Sequence, residues 1–239
     1  EAVVKSQGKA KYALGSVLGH VLLHQTINGN EAILQMEQAG DYPDIIVGCT
    51  GGGSNLAGLM FPFLGQQLRG GQKIDIIGCE PLSCPSFTKG KYAYDHGDMA
   101  RMTPLIKMHT LGSDFLPPAN HSGGLRYHGM SYHLSHLYDL GLMRAKAYGQ
   151  KDCFEAGVIF GKQEGIIPAP EGNHAVKGAM DAALECKEKG ESKTILFNLC
   201  GHGHFDMTAY DDYFSGRLAD DFYDEDSANQ SLASLPEIA

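Results

Sequence analysis

GCTGGGSN, residues 48–55, sets three consecutive glycines between the apolar stretch DIIV and the apolar stretch LAGLMFPFL. Residues 44–50 form a continuous apolar run, the pattern of a strand buried on both faces. Residues 56–68 carry a helical pattern, with a kink expected at Pro62. The glycines are therefore the turn of a strand–loop–helix unit. At such a turn the first helical N–H groups have no partner, and the helix dipole adds positive potential, so an anion is favoured there. Glycine allows positive φ and lets a phosphate come close to the main chain. Ser54 adds a hydroxyl donor, and Asn55 can cap the helix or donate to an oxygen.

A tight turn without a ligand is the plain alternative. A Walker loop needs Gly-Lys-Ser/Thr, and no lysine is present here. The dinucleotide fingerprint counted from Gly51 requires glycine or alanine where Leu56 stands. What remains is a loop suited to one compact phosphate, such as that of pyridoxal phosphate.

Outward from this loop, strands are expected over 73–79 and 193–199, and helices over 13–39, 130–140, 151–164 and 175–189. Residues 1–12 read as irregular, and 80–129 as a long loop rich in Gly, Pro and His. From Ala219 the chain is acidic and poor in large apolar residues, so a solvated or disordered tail is expected. Alternating strands and helices predict an α/β layered fold, a mostly parallel sheet flanked by helices.

The 239 residues are 43% hydrophobic and carry a net charge of −9, which argues against nucleic acid or an anionic membrane as partner. No run approaches the roughly 20 apolar residues of a membrane span, and no secretory signal is visible. The first residue is Glu1, consistent with a piece of a longer polypeptide. Six cysteines without tight pairing read as buried thiols in a reducing, cytoplasmic setting, and Cys79-x4-Cys84 is too loose for a structural zinc site.

GGGSN after a buried strand, EGIIPAPEGNHA at 164–175 and FNLCGHGHFD at 197–206 together resemble the tryptophan synthase beta chain, a pyridoxal-phosphate enzyme of fold type II. ALGSVLGHVLLHQT at 13–26, LGSDFLPP at 111–118 and GGLRYHGM at 123–130 resemble its second type. The resemblance spans about residues 10–217 and covers only the later part of the family's longer chain. It implies three units: 1–40 as the remainder of the amino-terminal domain, 41–218 as the cofactor-binding domain, and 219–239 as a tail. It implies the reaction of L-serine with indole to give L-tryptophan and water. It also implies a homodimer of the complete enzyme, an alpha-type subunit or a missing amino-terminal half as partner, and a monovalent cation as a further ligand.

Carried over residue by residue, the resemblance gives the cofactor phosphate to Gly51, Gly52, Gly53, Ser54 and Asn55. Cys200 takes the place of a serine beside the pyridine nitrogen, and Gly112 offers a main-chain contact to the ring oxygen. Glu171 is the acid beside the ring, or simply a helix N-terminal carboxylate, and Asp114 stands near the substrate hydroxyl. Arg126, Tyr127 and His128 are placed near the site mouth, while His20, His24, His121 and His174 read as packed or capping side chains. The family's cofactor-binding lysine follows a histidine, and no lysine of this chain does, Lys107 included. The chain alone is therefore expected to be inactive. Two competing readings stand beside this one: a zinc metallohydrolase using His202, His204 and Asp206 of HGHFD, and a non-catalytic fragment or half of a split enzyme.

Overall fold

The computed structural model describes residues 2–220 and 222–236. The strand of the DIIV stretch, β1 (Ile45–Cys49), is buried along its whole length. It lies inside a four-stranded parallel sheet of order β5-β2-β1-β6, built with β2 (Asp75–Pro81), β5 (Arg144–Tyr148) and β6 (Ile195–Phe197). Val47 pairs with Ile77 on one side and with Phe197 on the other.

Alternate residues of β1 enter different cores, which is why the strand reads as continuously apolar. Ile46 packs with Leu22 of α2 (Gly19–Ala39) and with Leu56, Met60 and Phe63 of α3 (Ser54–Leu68). Ile45 and Val47 pack on the other face with Cys153 of α5 (Gln150–Glu164) and with Ala182 and Cys186 of α6 (Pro170–Lys189). Helices thus cover both faces, the layered arrangement expected from the alternation of elements.

The structure differs from the sequence expectations in several places. The expected helix over 13–39 begins only at Gly19, and a four-residue helix, α1 (Ala2–Lys5), lies in the segment read as irregular. The 80–129 segment is not all loop: β3 (Lys91–His96) and β4 (Leu105–Thr110) form an antiparallel hairpin. Its strands are masked in sequence by the exposed Lys91 and Lys107 and by the polar Asp95 and His109, which are buried, Asp95 accepting from the Thr110 hydroxyl at 2.6 Å. β5 escapes notice because RAKAY carries two cations, yet Arg144 is paired with Asp75 at 2.8 Å and Lys146 with Glu185. The acidic tail, expected to be solvated, contains α8 (Glu225–Ala233). The Asp224 side chain accepts from the Ser227 N–H as its cap, and Ala228 is buried with Cys84, Leu111 and Phe115. Glu1, Asp221 and residues 237–239 lie outside the described residues.

One boundary has a local cause. α6 starts at Pro170, five residues before the expected 175, because proline suits the first helical position. α3 runs on through Pro62, which lies inside the helix. Two further helices, α4 (Tyr132–Asp139) and α7 (Met207–Phe214), complete the fold, and no described helix is long and apolar enough to cross a membrane.

Candidate active site

The glycine turn leaves β1 at the carboxyl edge of the parallel sheet and enters α3, the edge at which open α/β sheets gather ligands. Gly53 caps α3 with φ 97°, a conformation that a side chain would strain. The turn is tightly enclosed: a Cβ on Gly52 would stand 2.3 Å from Ser16 Oγ, and one on Gly51 would stand 2.7 Å from the Gly124 carbonyl oxygen. Residues 51–54 are buried, yet the N–H groups of Gly51, Gly52, Gly53, Ser54 and Asn55 donate to no acceptor among the described residues. Main-chain donors of buried residues are rarely left so, and five free donors in succession at a helix start, four of them on buried residues, form an anion-seeking surface. Beside them the Thr50 and Ser131 hydroxyls are also buried and unpartnered.

Side chains from neighbouring strands close on the same edge. Asn198, one residue beyond β6, donates to Asn55 Oδ1 at 2.9 Å and so orients that side chain. Cys49, the last residue of β1, and Cys200 bring their sulfurs to 3.5 Å. The hydrogen-bonding contact between the two thiols lowers the pKa of Cys200, while the same contact, followed by burial, pushes Cys49 well up. The Gly124 N–H donates to Glu171 Oε1 at 2.8 Å, tying the first turn of α6 to the turn that covers Gly51.

Gly112 and Asp114 have a different neighbourhood. Asp114 is paired with Arg101 at 3.1 Å and accepts from Ser234 Oγ at 3.1 Å. A Cβ on Gly112 would fall 2.1 Å from Ser231 Oγ on α8. No hydrogen bond joins either residue to the glycine turn, Glu171 or Cys200. Arg126, Tyr127 and His128 line a cavity of about 530 Å³ with Asp98, Phe115 and Gly123. His128 is buried against the His96 carbonyl at 2.9 Å, and burial lowers its pKa.

Residues 20–201 match the family described as pyridoxal-phosphate dependent enzyme. The chain belongs to that family. It is 57% identical to tryptophan synthase beta chain 2 of Aquifex aeolicus over 90% of this chain and 50% of that protein. It is 58% identical to the chain of the same name from Methanosarcina mazei over 87% of this chain and 47% of that one. With the tryptophan synthase beta chain of Pyrococcus horikoshii it shares 51% identity over 98% of this chain and 50% of that one. The chain thus spans about half the length of the curated relatives it matches. Among solved structures, a fungal L-serine ammonia-lyase from Rhizomucor miehei superposes with a TM-score of 0.63 at 14% identity, covering 90% of this chain and 64% of that one. Threonine deaminase isoform 2 from Solanum lycopersicum gives 0.58 at 15% identity, covering 88% and 54%. These likenesses confirm the fold type II architecture.

The site fits the family's cofactor in the respect that geometry can test. A compact phosphate would satisfy the row of orphan amides, and a side chain on Gly51 or Gly52 would invade its surroundings. The Lys107 ammonium of β4 stands 4.4 Å from the Tyr92 ring of β3, and those of Lys146 and Lys177 are paired with Glu185 and Asp181. In HGHFD, the His204 N–H donates to His202 Nδ1 at 3.2 Å. No group of three His, Cys, Asp or Glu side chains among the described residues is arranged to hold a metal ion.

Asn198, Ser16 and Gly124 were not singled out in the sequence. Asn198 carried a usable signal, since it sits two residues before Cys200 at the end of a strand parallel to β1.

Proposed function

We propose that this chain supplies the cofactor-holding part of a tryptophan-synthase beta-type enzyme, one that replaces the hydroxyl of L-serine with indole to give L-tryptophan and water. The observation that carries the reading is the row of unpartnered amides from Gly51 to Asn55, four of them on buried residues, in a chain of this family. Pyridoxal phosphate, when bound, supplies the electron sink for bond changes at the α- and β-carbons of an amino acid.

The chain's own residues divide the remaining work. The amides of 51–55 and the Ser54 hydroxyl hold the phosphate. The Asn55 amide nitrogen is free to donate because its oxygen already accepts from Asn198. Cys200 meets the ring nitrogen with a neutral or weakly donating sulfur in place of a carboxylate, which restrains the electron sink and favours replacement at the β-carbon. Gly112 offers its main chain to the ring oxygen. Glu171, with one oxygen held by Gly124, keeps the other available to carry a proton beside the ring. Asp114 orients the serine hydroxyl once it exchanges Arg101 and Ser234 for substrate.

The lysine that joins the cofactor is not among these 239 residues, and the reading assigns it to the half of its relatives' length that the chain does not match. That half, a second copy in a homodimer and an alpha-type subunit are the partners this reading entails, with a monovalent cation as a further ligand. The purified chain should take up pyridoxal phosphate weakly and without a covalent link, and should form no tryptophan from serine and indole. Robust turnover with no other polypeptide present would overturn the assignment of the lysine elsewhere. Failure of the cofactor absorbance to change on titration would overturn the phosphate cradle.

A further inference from the structure

Cys200 is exposed, whereas the other five cysteines are buried, and its sulfur lies 3.5 Å from that of Cys49. The two thiols come from sequence positions 151 apart and meet only because β1 and β6 are parallel neighbours ending at the same edge. A disulfide requires sulfurs at about 2.05 Å, so closure is a displacement of roughly 1.5 Å. Cys200 follows β6 after two residues outside regular structure, where the chain can supply that movement. Cys200 is the exposed member of the pair and Cys49, flanked by Asn55 Oδ1 at 4.0 Å, is buried behind it, so a small disulfide in solution reaches Cys200 first.

We propose that Cys49 and Cys200 form a reversible disulfide, with Cys200 as the attacked and attacking entry thiol and Cys49 as the resolving thiol. The oxidant is a low-molecular-weight disulfide. Cys200 thiolate attacks one of its sulfurs and expels a thiolate, leaving a mixed disulfide on Cys200. Cys49, giving its proton to the expelled thiolate, then attacks Cys200 Sγ and expels the second thiolate, which takes up the proton originally lost by Cys200. The protein loses two electrons and two protons, and the small disulfide gains both as two thiols. The thiol chemistry stands on this geometry alone. Its consequence, removal of the Cys200 thiol from the cofactor ring, rests on the reading above.

The test is peptide mapping by mass spectrometry after incubating the native chain with oxidised glutathione. The expected product is a cross-link between the peptides bearing Cys49 and Cys200, absent in Cys200→Ser, retained in Cys186→Ser and reversed by dithiothreitol. A cross-link of Cys49 to Cys79, its neighbour on β2, would overturn the proposal. So would a glutathione adduct that persists on Cys200, or recovery of all six thiols from the folded protein. Pyridoxal phosphate titration of the cross-linked form should show a several-fold rise in Kd. A cross-link that leaves Kd unchanged would support the redox pair and overturn the placement of Cys200 at the ring.

Discussion

At the scale of single residues, the glycine turn carries the sharpest expectation. Replacing Gly52 with valine drives a side chain onto Ser16 and the buried Val17, closing the loop around its own amides. Pyridoxal phosphate absorbance titrations should then show at least a tenfold loss of affinity, on the order of 1.4 kcal/mol or more. Two buried titratable groups make a second expectation. Burial outweighs three hydrogen bonds and raises Glu80 from 4.5 to about 7, and burial lowers His174 from 6.5 to about 4. For Glu80 the folded state binds the extra proton, so its contribution to stability falls as pH rises from 4.5 to about 7. For His174 the unfolded state binds the extra proton, so stability falls as pH drops from 6.5 to about 4. The slopes oppose one another, each roughly 1.4 kcal/mol per pH unit at most. Urea midpoints of the native chain should therefore vary little from these groups between pH 4.5 and 6.5. In His174→Asn they should fall with rising pH, and in Glu80→Gln they should climb.

At the scale of elements, α2 and α3 meet through glycines. A Cβ on Gly29 would stand 2.4 Å from the Leu59 carbonyl oxygen, and one on Gly58 would stand 2.6 Å from the Gln25 main-chain oxygen. The two helices can cross this closely only without side chains at those points, and the crossing seats Leu22 against the core that supports the glycine turn. Gly29→Leu should lower stability by about 1–3 kcal/mol in denaturant unfolding, the cost of overpacking a close contact. The same substitution at Gly40, where a side chain meets open space at φ 68°, should cost less. These contacts were not legible in the sequence, because Gly29 lies in an otherwise ordinary helical pattern and its partner is set by how α2 crosses α3.

At the scale of the whole molecule, the tail is part of the fold. Ala228 and Ser231 are buried, and Leu111 and Phe115 become fully covered beneath α8. Ending the chain at residue 218 should uncover that cluster and cost roughly 3 kcal/mol, read as a lower thermal midpoint. It should also release Asp114 from Ser234, visible as faster hydrogen exchange over 111–118. The composition from Ala219 onward concealed this, since an amphipathic helix of nine residues needs only a few small side chains to dock.

The sequence by itself determined the parallel α/β fold, the strand–glycine–helix turn and the pyridoxal-phosphate family. These follow from local pattern: continuous apolar runs, glycine where the main chain must be bare, and motifs in a fixed order. Only the tertiary structure decided that Cys49 faces Cys200, that Asn198 orients Asn55, that Glu171 is tied to Gly124, and that the acidic tail holds Asp114. Each of these depends on which strands lie side by side and where their ends coincide. Those are distances across the fold, and spacing along the chain does not encode them.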